Sequence, residues 1–171
     1  MCVIGQGNPA YPCPRSPGIP SPPCIPWTAL PIPLVMTEAE PLPRGVLHFP
    51  EGLPGFESLN QFVLLQDEEL LPMVFLTSLG EPKICLPVMS VESIRPDYQI
   101  QVGAEDRKLL RFAAEPALGR NVLCLVVLNL GDGAQPATAN LLAPIIVNIE
   151  TWTAKQVIQA DSPYSTAAEV S

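Results

Sequence analysis

From Gly45 onward, apolar and polar positions alternate or cluster over lengths that suit β-strands, with turn residues between the runs. Gly45 to Phe49 is a short strand candidate. Gln61 to Gln66 (QFVLLQ), Met73 to Leu79 (MVFLTSL) and Lys83 to Met89 (KICLPVM) are apolar runs of strand length. Tyr98 to Val102 alternates as a half-buried strand does. Asn121 to Leu130 (NVLCLVVLNL) is the longest apolar run, and its β-branched content favours a central strand. Ala137 to Leu142, Pro144 to Ile149 and Lys155 to Gln159 complete the set.

One segment reads as helical. In Ala104 to Phe112, Glu105 and Asp106 fall in the first turn and Lys108 and Arg111 toward the end, which suits the helix dipole. A helix this short needs a sheet to dock on. Many short strands and one short helix predict a mainly β domain, a small antiparallel barrel or sandwich. Pro72, Pro87 and Pro144 are then expected at edges or bulges, where a missing N–H is tolerated.

The first 36 residues have a different composition. Their one charged residue is Arg15, and they hold ten prolines. Proline fixes φ and removes a donor, so residues 1–36 are expected to form a disordered or polyproline extension, and 37–171 the β domain. Met36 opens MTEAEPLPRG, which reads as a natural N-terminus. The expectation is that 1–35 is upstream sequence translated from a mis-assigned start. Peptides beginning at Met1 or Cys2 in N-terminal mass spectrometry would refute it. A PxxP-type docking tail carrying Trp27 is the alternative. The apolar run Ile25 to Val35 is short and broken by Pro26, Pro31 and Pro33, and the start has no basic n-region. A cytoplasmic protein is expected.

Charge narrows the partners. The chain carries 17 acidic and 9 basic residues, a formal charge of −8. Such a surface repels phosphate backbones and speeds encounter with a basic protein, unless it serves only solubility.

Candidate chemistry is sparse. His48 is the one histidine, and it lies in a strand-like segment away from any G-x-S-x-G elbow. Cys85 and Cys124 sit inside apolar runs, where a thiol behaves as a small hydrophobe. Cys2, Cys13 and Cys24 are too widely spaced for a zinc site. Neither GxGxxG nor GxxxxGK occurs. Asp67, Glu68 and Glu69 read as a solvated turn. No catalysis, cofactor or metal is expected.

The segment FPEGLPGF, Phe49 to Phe56, stands out. Gly52 and Gly55 allow positive φ, and Pro54 is preset for a turn. The loop either plugs the core with Phe56 or presents Leu53 and Phe56 as an apolar lip between Glu51 and Glu57.

These residues resemble the flagellar assembly factor FliW family in three blocks. The first is Gly45 to Leu65, with Phe49, Pro50, Gly52, Leu53, Gly55 and Phe56. The second is Pro96-Asp97-Tyr98. The third runs through Thr138, Asn140, Leu141, Ala143, Pro144, Ile145 and Asn148, then Gln156, Ile158 and Tyr164-Ser165. The blocks lie in family order across residues 44–166. Trp152 and the tail after Ser165 depart from the family pattern.

The resemblance implies a barrel-like β fold without catalysis and two protein partners bound in turn. One is flagellin, held before secretion. The other is the RNA-binding translational regulator CsrA, whose repression of flagellin synthesis is relieved when it is captured. Candidate partner-binding residues are Gly52, Leu53, Pro54, Gly55, Phe56, Tyr98, Asn140, Ala143, Pro144 and Asn148. Asn140 and Asn148 have a competing structural reading, as partners of buried backbone groups. A flavin-type or other small-ligand barrel, and an interaction module unrelated to flagella, are the rival functions.

Overall fold

The computed structural model describes residues 45–131 and 135–170. The reading of residues 1–36 therefore falls outside the described residues. Among the described residues nine strands appear in chain order: β1 Leu47–His48, β2 Gln61–Gln66, β3 Val74–Ser78, β4 Cys85–Ser90, β5 Val122–Asn129, β6 Thr138–Ala139, β7 Ile145–Asn148, β8 Thr153–Gln156 and β9 Ala168–Glu169. Two short helices, α1 Val91–Ile94 and α2 Ala104–Leu109, and a 3-10 turn at Glu68–Leu70 complete the elements.

Seven strands close into a barrel in the order β4-β3-β2-β1-β8-β7-β5, and β5 returns to β4. The pairings are antiparallel except β1 with β8. Strands β6 and β9 form a ribbon on the end of β5. The fold is mainly β, as the strand-length runs predict.

Strand β5 shows how the core is divided. Leu123, Leu125 and Val127 face the barrel interior with Leu47, Phe62 and Leu76. Val122, Cys124, Val126 and Leu128 face outward into a second apolar layer with Val91, Tyr98 and Leu110. A strand apolar on both faces must be covered on both, which is why its sequence is a continuous run. Inside the barrel, the rings of Phe49 and Phe62 meet edge to face at 4.9 Å. Burial of each such side chain stabilises the fold by roughly 1.5–3 kcal/mol.

Four expectations need correction. Tyr98 to Val102 joins no ladder, because side chains take the place of a neighbouring strand. The Gln99 amide donates to the Tyr164 hydroxyl at 2.9 Å. Gln159, buried, accepts from the Gln101 amide at 2.6 Å and donates to the Gln101 carbonyl at 3.1 Å. The helix at Ala104 ends at Leu109, since Arg111 adopts φ 58° and turns the chain away. The strand expected at Ala137 to Leu142 pairs only at Thr138–Ala139, because the Leu141 and Leu142 amides both turn to the Ser165 carbonyl. The last barrel strand begins at Thr153, before Lys155, since Trp152 at φ 58° makes the preceding turn.

Pro87 lies in β4 opposite Phe75 of β3, just before the β4–β5 ladder starts at Val88↔Val127. Proline has no N–H for a further full rung toward β5, so the barrel seam parts there. Pro72 precedes β3 and Pro144 precedes β7, both outside the strands.

Candidate partner-binding site

The parted seam is where the candidate loop sits. Between β1 and β2 the chain makes two successive tight turns. The Gly52 amide donates to the Phe49 carbonyl at 3.1 Å, and the Phe56 amide to the Leu53 carbonyl at 2.7 Å. Gly52 has φ 69°, and a Cβ there would lie 2.6 Å from the Glu57 backbone, so only glycine fits. Gly55 has φ 85° with open space around it. Its amide donates to Glu57 Oε1 at 2.8 Å, and this bond to the backbone holds the Glu57 carboxyl below its ordinary range.

The result is a fixed presentation. Leu53 is buried, Pro54 and Gly55 are exposed, and Phe56 is half-buried against the barrel core. An ion-pair clamp holds the loop from the side. Lys155 of β8 reaches Glu51 at 2.7 Å and Asp106 of α2 at 2.9 Å. Both hydrogen bonds to carboxylates raise the Lys155 pKa.

The second wall is the segment after β6. The Asn140 amide donates to the Val127 carbonyl at 3.0 Å, while its side-chain oxygen accepts from the Ala143 amide at 3.1 Å. Gln156 of β8 donates to the Ala143 carbonyl at 2.9 Å, and the Val157 amide to the Pro144 carbonyl at 2.9 Å. The chain is thereby pinned beside the seam.

Between these walls lies a groove of about 320 Å³ at the barrel mouth. Leu53, Pro54 and Phe56 line one side; Leu86 and Val127 form the floor; Asn140 and Gln156 contribute neutral amides. Residues far apart in sequence thus meet in one concave surface, apolar at its base with polar groups at its margin. That composition suits binding of a ligand with an apolar face.

Tyr98 and Asn148 lie elsewhere. Tyr98 is buried, its hydroxyl donating to the Leu141 carbonyl at 2.6 Å and its ring stacked on Tyr164 at 4.2 Å. Burial pushes its phenol pKa well up. Asn148 is also buried and spends its amide on backbone groups of the chain itself. Gly52 and Pro144 are buried, and Ala143 is half-buried. Sequence reasoning missed Leu86 and Val127, which belong to regular strands and carry no local signal, and Gln159, whose role depends on a segment far away in the chain; Gln156 lies in the third family-like block but is not singled out there as a contact.

No helix among the described residues is long and apolar enough to cross a membrane. Also among the described residues, no group of three or more His, Cys, Asp or Glu side chains is placed to hold a metal ion. Burial raises the Cys124 thiol pKa.

Fold and site together define a small, mainly β barrel protein with a solvent-open groove where its seam parts. The chain belongs to the FliW family, matched over residues 35–170 by the family described as FliW protein. It is 34% identical over 122 residues to the flagellar assembly factor FliW of Caldanaerobacter subterraneus subsp. tengcongensis, covering 71% of this chain and 79% of that one. It is 36% identical over 123 residues to the protein of the same name from Pseudothermotoga lettingae, covering 71% and 76%. A solved structure, the crystal structure of the flagellar assembly factor FliW, superposes with a TM-score of 0.65 at 31% identity, covering 72% of this chain and 84% of that one.

Proposed function

We propose that this protein acts in the cytoplasm by binding, without catalysis or a cofactor, and that its two partners are flagellin and a CsrA-type RNA-binding regulator of translation. Held by flagellin, it leaves the regulator free to repress flagellin synthesis. Once flagellin is exported, the freed protein captures the regulator and synthesis resumes.

Membership of a flagellar assembly factor family supports this reading. The observation that carries it is the groove, in which Leu53, Pro54 and Phe56 of the family-like loop meet Asn140 of the third family-like block. A concave surface with an apolar base suits an amphipathic helix, the form that flagellin's terminal segments take. The acidic balance of 17 to 9 suits approach to an RNA-binding protein, which must itself carry a basic face. Gly52, Gly55, Ala143 and Pro144 shape the walls, and Tyr98 and Asn148 support them from inside.

The test is titration of purified protein with flagellin and, separately, with the regulator. Phe56→Ser should weaken flagellin binding at least about tenfold, as loss of a central aromatic anchor does. Unchanged flagellin affinity in that variant would remove the groove from the reading, and no complex with either partner would refute the reading itself.

A further inference from the structure

A second apolar surface lies on the opposite side of the barrel wall from the groove. Side chains alternate across a strand, so Leu86 of β4 points toward the groove while Pro87 faces outward. On β2, Phe62 and Leu64 face the interior, which turns Val63 and Leu65 outward. Leu65 stands opposite Phe75 of β3, and Phe75 opposite Pro87 of β4, an apolar row across three strands.

The second apolar layer covers the outside of β4, β5 and β7 and extends as far as Met73. Beyond it Leu65 is left 50% exposed and Phe75 half-buried. The β2–β3 turn then adds Leu70, 42% exposed, and Leu71.

Charge at this edge is one-sided. Asp67, Glu68 and Glu69 immediately precede the two exposed leucines, and among the described residues none of the three forms an ion pair. Asp67 accepts from the Glu69 amide at 3.0 Å, which sets the 3-10 turn and fixes the carboxylates beside Leu70. Across residues 45–90 the one cation is Lys83, against six carboxylates, and its ammonium is engaged by the Leu79 carbonyl at 2.7 Å.

An occupant must therefore bring apolar surface and positive charge together. A second copy of this chain would bring the same three carboxylates into a self-complementary contact and be repelled. Nucleic acid would be repelled by the same charges.

We propose that the outer face of the β2–β3 hairpin, Leu65, Phe75, Leu70 and Leu71 bordered by Asp67 to Glu69, is a docking surface separate from the groove, and that it seats a basic protein with an apolar face. The inference rests on the function proposed above and assigns this surface to the RNA-binding regulator, leaving the groove to flagellin. The hairpin carboxylates steer the encounter, and the leucines hold the complex. Both surfaces border β4, the groove at Leu86 and the outer row at Pro87, which is itself buried.

The experiment uses the full chain with two probes, a purified CsrA-type regulator and purified flagellin from the same organism, measured by surface-immobilised kinetics at low and high salt. Glu68→Lys/Glu69→Lys should slow association with the regulator about tenfold at low salt and flatten its salt dependence. Leu65→Ser should speed dissociation of the regulator about tenfold. Both variants should keep the wild-type melting temperature and flagellin affinity. A wild type that binds the regulator with kinetics neither variant alters overturns the inference and leaves the proposed function standing. Equal loss of both partners in folded variants overturns the separation of the surfaces. A self-associating wild type made monomeric by Leu65→Ser assigns the face to a second copy instead. Failure of the wild type to bind either probe overturns the proposed function and this inference with it.

Discussion

The side-chain amide of Asn148 donates to the carbonyl of Leu110 at 2.9 Å, joining the end of β7 to the residue that caps α2. The same nitrogen also reaches the Arg111 carbonyl at 3.2 Å, and the side-chain oxygen accepts from the Glu150 amide at 2.9 Å. Arg111 sits at φ 58° in a turn closed by the Phe112 amide on the Arg107 carbonyl at 3.0 Å, and Asn148 braces that turn from outside. One buried asparagine thus stands in for a stretch of missing ladder.

Asn148→Ala removes the side-chain partner of the Arg111 carbonyl and of the Glu150 amide, and leaves the Leu110 carbonyl with only the Thr151 hydroxyl at 3.5 Å. We expect a loss of about 2–4 kcal/mol in urea denaturation, with partner affinity per folded molecule unchanged. Wild-type stability combined with lost binding would make Asn148 a contact residue instead.

The two glycines of the candidate loop should behave differently. Gly52→Ala sets a Cβ 2.6 Å from the Glu57 backbone at φ 69°, and about 2–4 kcal/mol of destabilisation is expected. Gly55→Ala meets open space at φ 85° and should lose only about 1 kcal/mol. Thermal melts of the pair check this; equal losses would contradict the turn geometry.

Lys155 gives a pH signature. Its pKa is raised by hydrogen bonds to Glu51 and Asp106, so its contribution to stability is fully present below the ordinary lysine value of 10.5 and disappears as pH rises through the folded value. Lys155→Met should be less stable than wild type by about 0.5–1 kcal/mol at neutral pH, a modest figure because the pair is partly solvated. The gap should close in alkaline solution above the lysine range. A gap that stays constant there would show that the clamp is not ionic.

Tyr98 is predicted to remain a protonated donor beyond the usual tyrosine range, because burial disfavours its phenolate. Tyr98→Phe removes the bond to the Leu141 carbonyl, and about 1–2 kcal/mol should be lost. In an absorbance titration of the folded protein, the variant should lose none of the signal near the ordinary tyrosine value. A loss there would place Tyr98 in water.

How much of this was legible in the chain follows from which interactions are local. The apolar runs at Gln61–Gln66 and Val122–Asn129 are strands because period and β-branched content are properties of neighbouring residues. FPEGLPGF announced its turns because positive φ selects glycine at Gly52 and Gly55. Tyr98 to Val102 misled because alternation reports which side is buried and not what supplies the hydrogen bonds; here Gln159 and Tyr164 do so from a distance. The groove was half legible. Its loop and Asn140 carry motif signals, whereas Leu86 and Val127 become groove residues only because Pro87 ends a ladder and the seam parts.

The most direct test of the central claim, that this protein frees flagellin synthesis by capturing a repressor, is translation of a flagellin message in a reconstituted system. With the CsrA-type regulator present, translation falls. Adding this protein in equimolar amount should restore it, and excess flagellin should then suppress it again. Translation that stays repressed with this protein present, or that flagellin leaves unaffected after rescue, would contradict the account.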